Sequence, residues 1–322
     1  VDLKKVQVTI SGVKLEGNAD LRLSEAGAVN GPVRLEIERL AQSAIAPLWP
    51  AALAEDNSKE WIVDKLGDGI FSNVYAQGDL EVLAGADGRS VDLKNLVAGF
   101  EFDGMSVNYR APLKPVTDAK GKGTFNLNSE TLRVDIESAK VMGLAISEAD
   151  VELVNIIEAG KGQADINLKL QGPAKSVFTY IRDEPIGVNS EIDVANVKGQ
   201  ADLQVNISLP TKSNIKIEDV DVNVRGALRE AVLPNVVRGL ALSEGPFDVS
   251  VKDNALRVKG KGRLGDQPIV LDYHEYLSAA GKPYAMQVNA ALLATPALRD
   301  QFGMDLSSFL EGPVFADVTY TE

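Results

Sequence analysis

The strongest pattern in this sequence is an alternation of apolar and polar residues that recurs along nearly the whole chain. In the segment 201–209, every second residue from Ala201 to Leu209 is apolar and the residues between them are polar. Successive side chains of a β-strand point to opposite faces of a sheet, so a period of two predicts strands with one apolar and one polar face. We therefore expect a mainly β fold with about a dozen strands.

Two short motifs repeat within this pattern. The motif Gly-[Asn/Gln]-Ala-Asp-[Leu/Ile]-x-[Leu/Val] occurs at residues 17–23, 162–168 and 199–205. Gly-Pro pairs at 31–32, 245–246 and 312–313 each precede an alternating stretch. Proline lacks an amide donor and is therefore suited to the first residue of a strand. Further alternating stretches predict strands near 70–83, 96–109, 122–128, 132–138, 148–154, 215–225, 256–264, 268–273 and 285–292.

Helical patterns are fewer than strand patterns. We predict a helical insert at about 39–67, which carries both tryptophans of the chain, Trp49 and Trp61. Shorter helices are predicted at 174–182, 228–242 and 296–310, the last with Thr295 as its N-cap and a break near Gly303. Four short helices cover only about half of the apolar face of a dozen strands.

The uncovered apolar surface leaves two architectures. The sheet closes as a sandwich or barrel, or it curls into a trough whose apolar interior is filled by something else. Few large aromatic residues are available to fill a core, since Phe, Trp and Tyr make up 6% of the chain. The predicted strand at 70–83 is also far longer than the usual five to six residues. Both features favour long strands in a sheet that curls into such a trough.

Composition excludes several classes of function. The chain of 322 residues has no Cys and one His, so disulfides, thiolate metal sites and multi-His zinc sites are excluded. A net charge of -13 disfavours nucleic acid as a partner. We expect no catalytic residues, no cofactor and no metal site. The chain begins at Val1 without an initiator Met, so we expect a fragment of a longer protein that forms one elongated module over 1–322, with a weak internal boundary near 172–186.

Three motifs that could carry chemistry have simpler structural interpretations. Residues 260–265 match G-x-G-x-x-G, but a strand pattern follows where a dinucleotide site needs a helix, so we expect a hairpin turn. His274 is expected to be a surface or strand-end histidine. The acidic residues Glu55, Asp56, Asp64 and Asp68 are interleaved with lysines and are expected to form a solvated helix surface.

The helical insert and the strand that follows it carry a resemblance. The chain has Leu48-Trp49-Pro50, a second helix with Lys59 two residues before Trp61, and Gly69 followed by a long amphipathic strand. With these features it resembles the AsmA-like envelope proteins of Gram-negative bacteria, especially the YhdP/TamB branch. The stretch 272–275, the predicted helix 296–310 and the strand after Gly312-Pro313 are similar to the end of the same module.

The resemblance implies a periplasmic protein, anchored to the inner membrane through a segment outside this chain, whose long antiparallel strands form a curled, taco-like sheet with an apolar interior. Its hydrophobic groove would conduct phospholipid acyl chains between the inner and outer membranes, with outer-membrane proteins as possible partners, and would support the outer-membrane permeability barrier. Trp49 and Trp61 are expected to anchor the helical insert on the sheet or to gate one end of the groove. The residues expected to line the groove are Val74, Leu80, Val82, Ile166, Leu168, Leu203, Val205, Ile207, Val222, Val249 and Val251.

Two other functions stay open at this point. A β-rich periplasmic scaffold could assist outer-membrane protein assembly by pairing exposed strand edges with client strands. An enzyme acting on polysaccharide would need two carboxylates that converge on a cleft. Carboxylates are scattered along every polar face, and the sequence nominates no such pair.

Overall fold

The fold is mainly β. The computed structural model describes residues 2–25, 27–49, 59–85, 88–109, 111–157, 160–182, 192–212, 215–277, 281–304 and 306–322. The nineteen strands assigned within these residues belong to one large sheet. The strand pairs whose registers are defined are antiparallel, as between β-strands at 29–41 and 70–85. The predicted fold class, long antiparallel strands with a few short helices, is confirmed.

The strands alternate with short connections, and helices are confined to a few segments. The strands are β1 (Asp2–Ile10), β2 (Val13–Asp20), β3 (Arg22–Leu23), β4 (Val29–Ala41), β5 (Leu66–Gly67), β6 (Ile70–Gly85), β7 (Gly88–Val107), β8 (Val116–Asn126), β9 (Thr131–Val141), β10 (Leu144–Val154), β11 (Gln163–Pro173), β12 (Lys198–Pro210), β13 (Asp221–Val237), β14 (Leu240–Ser243), β15 (Phe247–Lys252), β16 (Ala255–Leu264), β17 (Gln267–Tyr276), β18 (Met286–Ala294) and β19 (Val314–Thr321). The α-helices are α1 (Ala174–Arg182) and α2 (Pro296–Gln301), with a π-helix at Glu60–Lys65 and 3-10 turns at Gln42–Ala44, Ala46–Leu48, Val194–Asn196 and Ile217–Asp219.

The chain divides into two compact units. Unit 1 comprises Val1–Val141, Ser147–Ile166 and Ser208–Lys216. Unit 2 comprises Met142–Ile146, Asn167–Ile207 and Ile217–Glu322. The single elongated module and the boundary near 172–186 stay predictions.

Unit 1 is a meander of long hairpins. Strand β2 pairs with β1 and β4, β4 pairs with β6, and the order continues through β7, β8 and β9. One face is apolar, since Leu35 and Ile37 of β4 lie opposite Ala76 and Val74 of β6. The other face carries cross-strand ion pairs, including Lys120 with Glu137 at 2.9 Å. The period-two pattern therefore places apolar side chains on one face of the sheet and charged side chains on the other.

Unit 2 contains a packed hydrophobic cluster. Phe247 of β15 is fully buried at its centre. A Cβ atom at Gly260 or Gly262 of β16 would lie 2.7 or 2.6 Å from atoms of the Phe247 ring, so the glycines make room for it. Val177 and Phe178 of α1 pack against the same cluster. Unit 2 thus has an aromatic residue and a helix on its apolar face.

The predicted helix at 228–242 is wrong, because these residues form β13 and β14. Glu230 has a φ of 50°, which interrupts the regular pleat of β13. The buried residues Leu228, Ala231 and Leu233 therefore fall at spacings of three and two. A three-residue step between apolar residues resembles helical periodicity, which is why the sequence pattern predicted a helix here.

The other helix predictions have mixed outcomes. Helix α1 has the predicted bounds. Helix α2 begins at Pro296 with Thr295 as N-cap, as predicted, but ends at Gln301, before Gly303 with its φ of 75°. In the predicted insert, β4 extends to Ala41, and the described helical parts are the two 3-10 turns and the π-helix. Residues 50–58 lie outside the described residues.

Candidate functional site

The apolar face of β1, β2 and β4 in unit 1 is open to solvent. Val6, Val8, Ile10 and Leu35 are between 41 and 51% exposed. Their registers place them together, since Val6 lies opposite Gly17 on β2, and Gly17 lies opposite Leu35 on β4. Single exposed apolar side chains are common on protein surfaces, but a contiguous set of them is typical of a binding surface.

This open face leads to an apolar pocket of about 310 Å³. After β4 ends at Ala41, two consecutive 3-10 turns carry the chain over the ends of the first strands. Every residue that lines the pocket is apolar. The lining residues are Ile10, Leu15, Ile37, Leu40, Ile45, Pro47, Leu48 and Trp49.

One glutamine holds the pocket wall in place. The half-buried Gln42 side chain donates through Nε2 to the carbonyl oxygens of Ile62, Val63 and Leu66, at 3.3, 3.2 and 2.7 Å. Its backbone N–H donates to the carbonyl of Gly69 at 3.2 Å. These bonds tie the first 3-10 turn to the π-helix and to the strands that follow it. The pocket wall is therefore fixed by a side chain that does not itself line the pocket.

The charged groups of this region belong to the opposite face. Gln7 of β1 donates to Glu16 of β2 at 2.6 Å, and Glu16 lies opposite Glu36 on β4. Hydrogen bonds from Lys14 and then Lys5 lower the pKa of the Glu16 carboxyl. Because charge is kept to the far face, the open face and its pocket can hold an apolar chain without facing an ionised group.

The described residues provide neither a candidate metal-binding cluster nor a candidate membrane-spanning helix. Among them, no group of three His, Cys, Asp or Glu side chains is arranged to hold a metal ion. No helix within the described ranges has the length and hydrophobicity to cross a membrane. The expected absence of catalytic residues, cofactor and metal stays a prediction.

Three of the predicted groove residues lie on the same apolar face of unit 1. Val74, Leu80 and Val82 are half-buried residues of β6. They lie opposite Ile37, Gly31 and Val29 of β4, on the face that carries Leu35. Val74 is thus the cross-strand neighbour of Ile37, which lines the pocket. Ile166 of β11, also assigned to unit 1, is half-buried.

The predicted groove residues of unit 2 lie in or beside its packed cluster. Leu203 and Val205 of β12 are buried in this cluster, at 5 and 9% exposure, and α1 packs against the same cluster. Partly buried residues packed against this cluster are Leu168, Ile207 and Val249. Val222 and Val251 are half-buried. The lipid contacts assigned to all these residues stay a prediction.

Trp49 is half-buried and lines the apolar pocket. The side chain of Trp61 lies outside the described residues, although its backbone belongs to the π-helix. The role of the two tryptophans as anchor or gate stays a prediction. Sequence reasoning missed the pocket residues Ile10, Leu15 and Ile37, although their alternation with polar neighbours was visible. Gln42 gave no signal beyond being one polar residue in a mainly apolar stretch.

Two of the weaker motifs can be placed. Residues 260–265 end β16 and enter a tight hairpin in which Leu264 lies opposite Gln267, so the predicted turn is confirmed. His274 lies within β17 and is half-buried. Its Nδ1 is 2.9 Å from the hydroxyl of Tyr284, and its ring packs edge-on against Tyr276. Glu55 and Asp56 lie outside the described residues.

Comparison with known families identifies the chain. A family model described as YhdP protein matches residues 1–320. The chain therefore belongs to the YhdP family, and the resemblance predicted from its helical insert and long strands is confirmed. Comparisons with curated proteins and with solved structures gave no match.

Proposed function

We propose that this YhdP-family chain forms part of a hydrophobic path along which phospholipid acyl chains pass between the inner and outer membranes. The observation that carries the proposal is the open apolar face of unit 1. It lies on β1, β2 and β4, continues to half-buried residues of β6 and leads to the pocket at Trp49.

The chemistry of this face suits an acyl chain. Each methylene group removed from water contributes about 0.8 kcal/mol, so an extended apolar surface binds a chain by many small increments. The pocket volume of about 310 Å³ lies near the lower end of the range for small-molecule sites. Its lining is entirely aliphatic apart from Trp49. Such a surface attracts acyl chains without a polar contact that would fix one headgroup, and this favours transit over tight retention.

The wider context is part of the same proposal. The chain works in the periplasm, in a protein anchored to the inner membrane by a segment outside this chain, and it supports the outer-membrane permeability barrier. It acts without catalysis. Family membership supports this setting.

Fluorescence of Trp49 tests the proposal. The chain has two tryptophans, so Trp61→Phe leaves Trp49 as the only one. We expect phosphatidylcholine with brominated acyl chains to quench Trp49 more strongly than the same lipid without bromine. Equal emission with the two lipids would contradict an acyl chain at the pocket.

Two neighbouring residues on opposite faces supply a matched comparison. Ile37→Glu places a charge on the pocket lining and is expected to abolish the bromine-dependent quenching. Glu36→Gln alters the opposite face and is expected to preserve it. Circular dichroism shows whether both variants keep the β fold. The scaffold alternative predicts crosslinks to client proteins at a strand edge and no bromine-dependent quenching at Trp49.

A further inference from the structure

Between α2 and the start of β19, unit 2 presents large apolar side chains to solvent at positions 304, 306, 309 and 315. Phe309 and Phe315 are each 91% exposed, and Met304 and Leu306 are also exposed. The chain has nine phenylalanines, and Phe247 shows that unit 2 can bury one completely. Neighbouring exposed apolar side chains mark interaction sites more often than single ones do. We refer to Met304, Leu306, Phe309 and Phe315 as the 304–315 patch.

A buried arginine fixes the loop that carries this patch. Arg299 of α2 is 3% exposed. Its Nη1 donates to the carbonyls of Ala294 and Gly312 at 3.0 and 2.9 Å, and its Nη2 donates to that of Leu310 at 2.9 Å. Burying a guanidinium is costly unless its donors are satisfied. Arg299 thus holds the chain just after Phe309, and the Phe309 N–H donates to the carbonyl of Leu306 at 2.9 Å, so Phe309 is exposed on a hydrogen-bonded loop.

The position of Phe315 is fixed by the sheet. Phe315 lies opposite Leu293 in an unbroken register between β18 and β19. By the alternation of strand side chains, Phe315 shares its face with Asp317 and Thr319. Its neighbour Ala316 belongs to the other face, opposite Leu292, which packs against the hydrophobic cluster. Phe315 is therefore an aromatic residue on the polar face, where packing inside unit 2 gives no reason for it.

The segment that carries the patch has acidic residues and no basic ones, and a cation that the structure places beside it is the exposed Arg238, whose guanidinium lies 5.9 Å from the ring centroid of Phe302. Residues 300–322 contain five acidic residues and no Lys, Arg or His. Of these acids, Asp300, Glu311, Asp317 and Glu322 are exposed. The nearest preceding cation in the sequence, Arg299, is buried and donates to backbone carbonyls. An anionic bilayer surface attracts Lys and Arg and repels such a region. A protein segment that combines basic and apolar residues is complementary to it.

We propose that the 304–315 patch binds a segment of a partner protein that presents apolar side chains interleaved with Lys or Arg. The two exposed phenylalanines supply the apolar anchors, and the surrounding carboxylates select for basic charge. Aromatic anchors of this kind dominate the affinity of many protein interfaces. The proposal is independent of the acyl-chain path in unit 1.

A pair of designed peptides tests the proposal on the whole chain. The first peptide alternates Lys and Leu over about ten residues, and the second has Glu in place of Lys. We expect fluorescence anisotropy to show binding of the Lys-Leu peptide, weakened by added salt. The double variant Phe309→Ser with Phe315→Ser is expected to weaken this binding at least about tenfold. Val91→Ser, which removes a 69% exposed residue of unit 1, is the matched control and is expected to leave the affinity unchanged.

A charge-reversal variant keeps the test decisive if the serine variant folds poorly. The double variant Glu311→Lys with Asp317→Lys is expected to bind the Lys-Leu peptide more weakly and the Glu-Leu peptide more tightly than wild type does. The proposal is overturned if the Lys-Leu peptide fails to bind, or binds the phenylalanine variant as well as wild type. It is also overturned if vesicles containing phosphatidylglycerol, or a second copy of the chain, bind through the same phenylalanines while the peptide does not.

Discussion

In unit 2 the apolar face of the sheet is packed around Phe247 and against α1, whereas in unit 1 the apolar face of β1, β2 and β4 exposes Val6, Val8, Ile10 and Leu35 to solvent. Leu203 on β12 is 5% exposed and Leu35 on β4 is 51% exposed, although both belong to alternating strands. The same period of two therefore gives a closed core in one place and an accessible surface in the other. The difference lies in what covers the face.

The cover in unit 2 comes from two sources. Phe247 occupies the space above Gly260 and Gly262, and α1 adds Val177 and Phe178. On the open face of unit 1 the exposed side chains are aliphatic, and a Cβ atom at Gly17 would lie 3.0 Å from Leu35. Because its described residues are small or aliphatic, this face has no large side chain among them that covers the apolar surface. The comparison thus contrasts the packed cluster of unit 2 with the exposed apolar face of β1, β2 and β4 in unit 1, which buries Phe71, Phe102 and Met105 elsewhere.

The largest expected effect is on the core of unit 2. Phe247→Ala removes a fully buried ring that three glycines, at 245, 260 and 262, closely approach. We expect the free energy of unfolding, measured by urea titration, to fall by about 3–5 kcal/mol. A loss below about 1 kcal/mol would mean that unit 2 does not depend on this cover, and the contrast between the units would fail.

A matched pair of leucine variants, with an expected effect of intermediate size, sharpens the comparison between the two units. Leu203→Ala creates a cavity in the cluster and is expected to cost about 2–5 kcal/mol of unfolding free energy. Leu35→Ala alters an exposed side chain and is expected to change it by less than about 0.5 kcal/mol. Urea titration of the two variants under the same conditions measures both values. Equal losses would show that the face of unit 1 is covered in solution.

The smallest expected effect concerns the polar faces, which carry ion pairs in both units. In unit 2, Arg257 donates two hydrogen bonds to Asp272, at 2.9 and 2.8 Å, and these lower the pKa of the Asp272 carboxyl, with Lys259 adding to the effect. A lowered pKa stabilises the folded state above the unfolded pKa of about 3.9. This stabilisation is lost as the pH falls through the folded value.

Arg257→Gln should therefore reduce the difference in unfolding free energy between neutral and acidic pH. Because the pair is partly exposed, the reduction is expected to stay below about 1 kcal/mol. Arg133→Gln, which breaks the 2.6 Å pair with Glu152 in unit 1, is expected to lower stability at neutral pH by a similarly small amount. If either variant lost several kcal/mol of unfolding free energy, ion pairs rather than the packing of the apolar face would account for the difference between the two units.

The strands themselves were largely predictable from the sequence. Side chains such as Val6, Val8 and Ile10 alternate with polar neighbours, and this period is a local property of the chain. The exception at 228–242 has a local cause, because the positive φ of Glu230 changes the phase of the alternation within β13. A sequence pattern contains no direct sign of such an interruption.

The open site was less predictable than the strands. Alternation identifies an apolar face but not its cover, since the cover is supplied by residues far away in sequence, as α1 covers part of the cluster around Phe247. Leu203 and Leu35 therefore look alike in the sequence and differ tenfold in exposure. The pocket wall depends in the same way on bonds from Gln42 to residues twenty or more positions later.

Photocrosslinking at three positions tests most directly whether the open face of unit 1 meets lipid. A small diazirine amino acid replaces Leu35 on the open face, Glu36 on the opposite face or Leu233 in the packed cluster, in the whole protein within its native envelope. The account predicts phospholipid crosslinks at position 35 and none at positions 36 and 233. Crosslinks at 233 without crosslinks at 35, or equal crosslinks at 35 and 36, would contradict it.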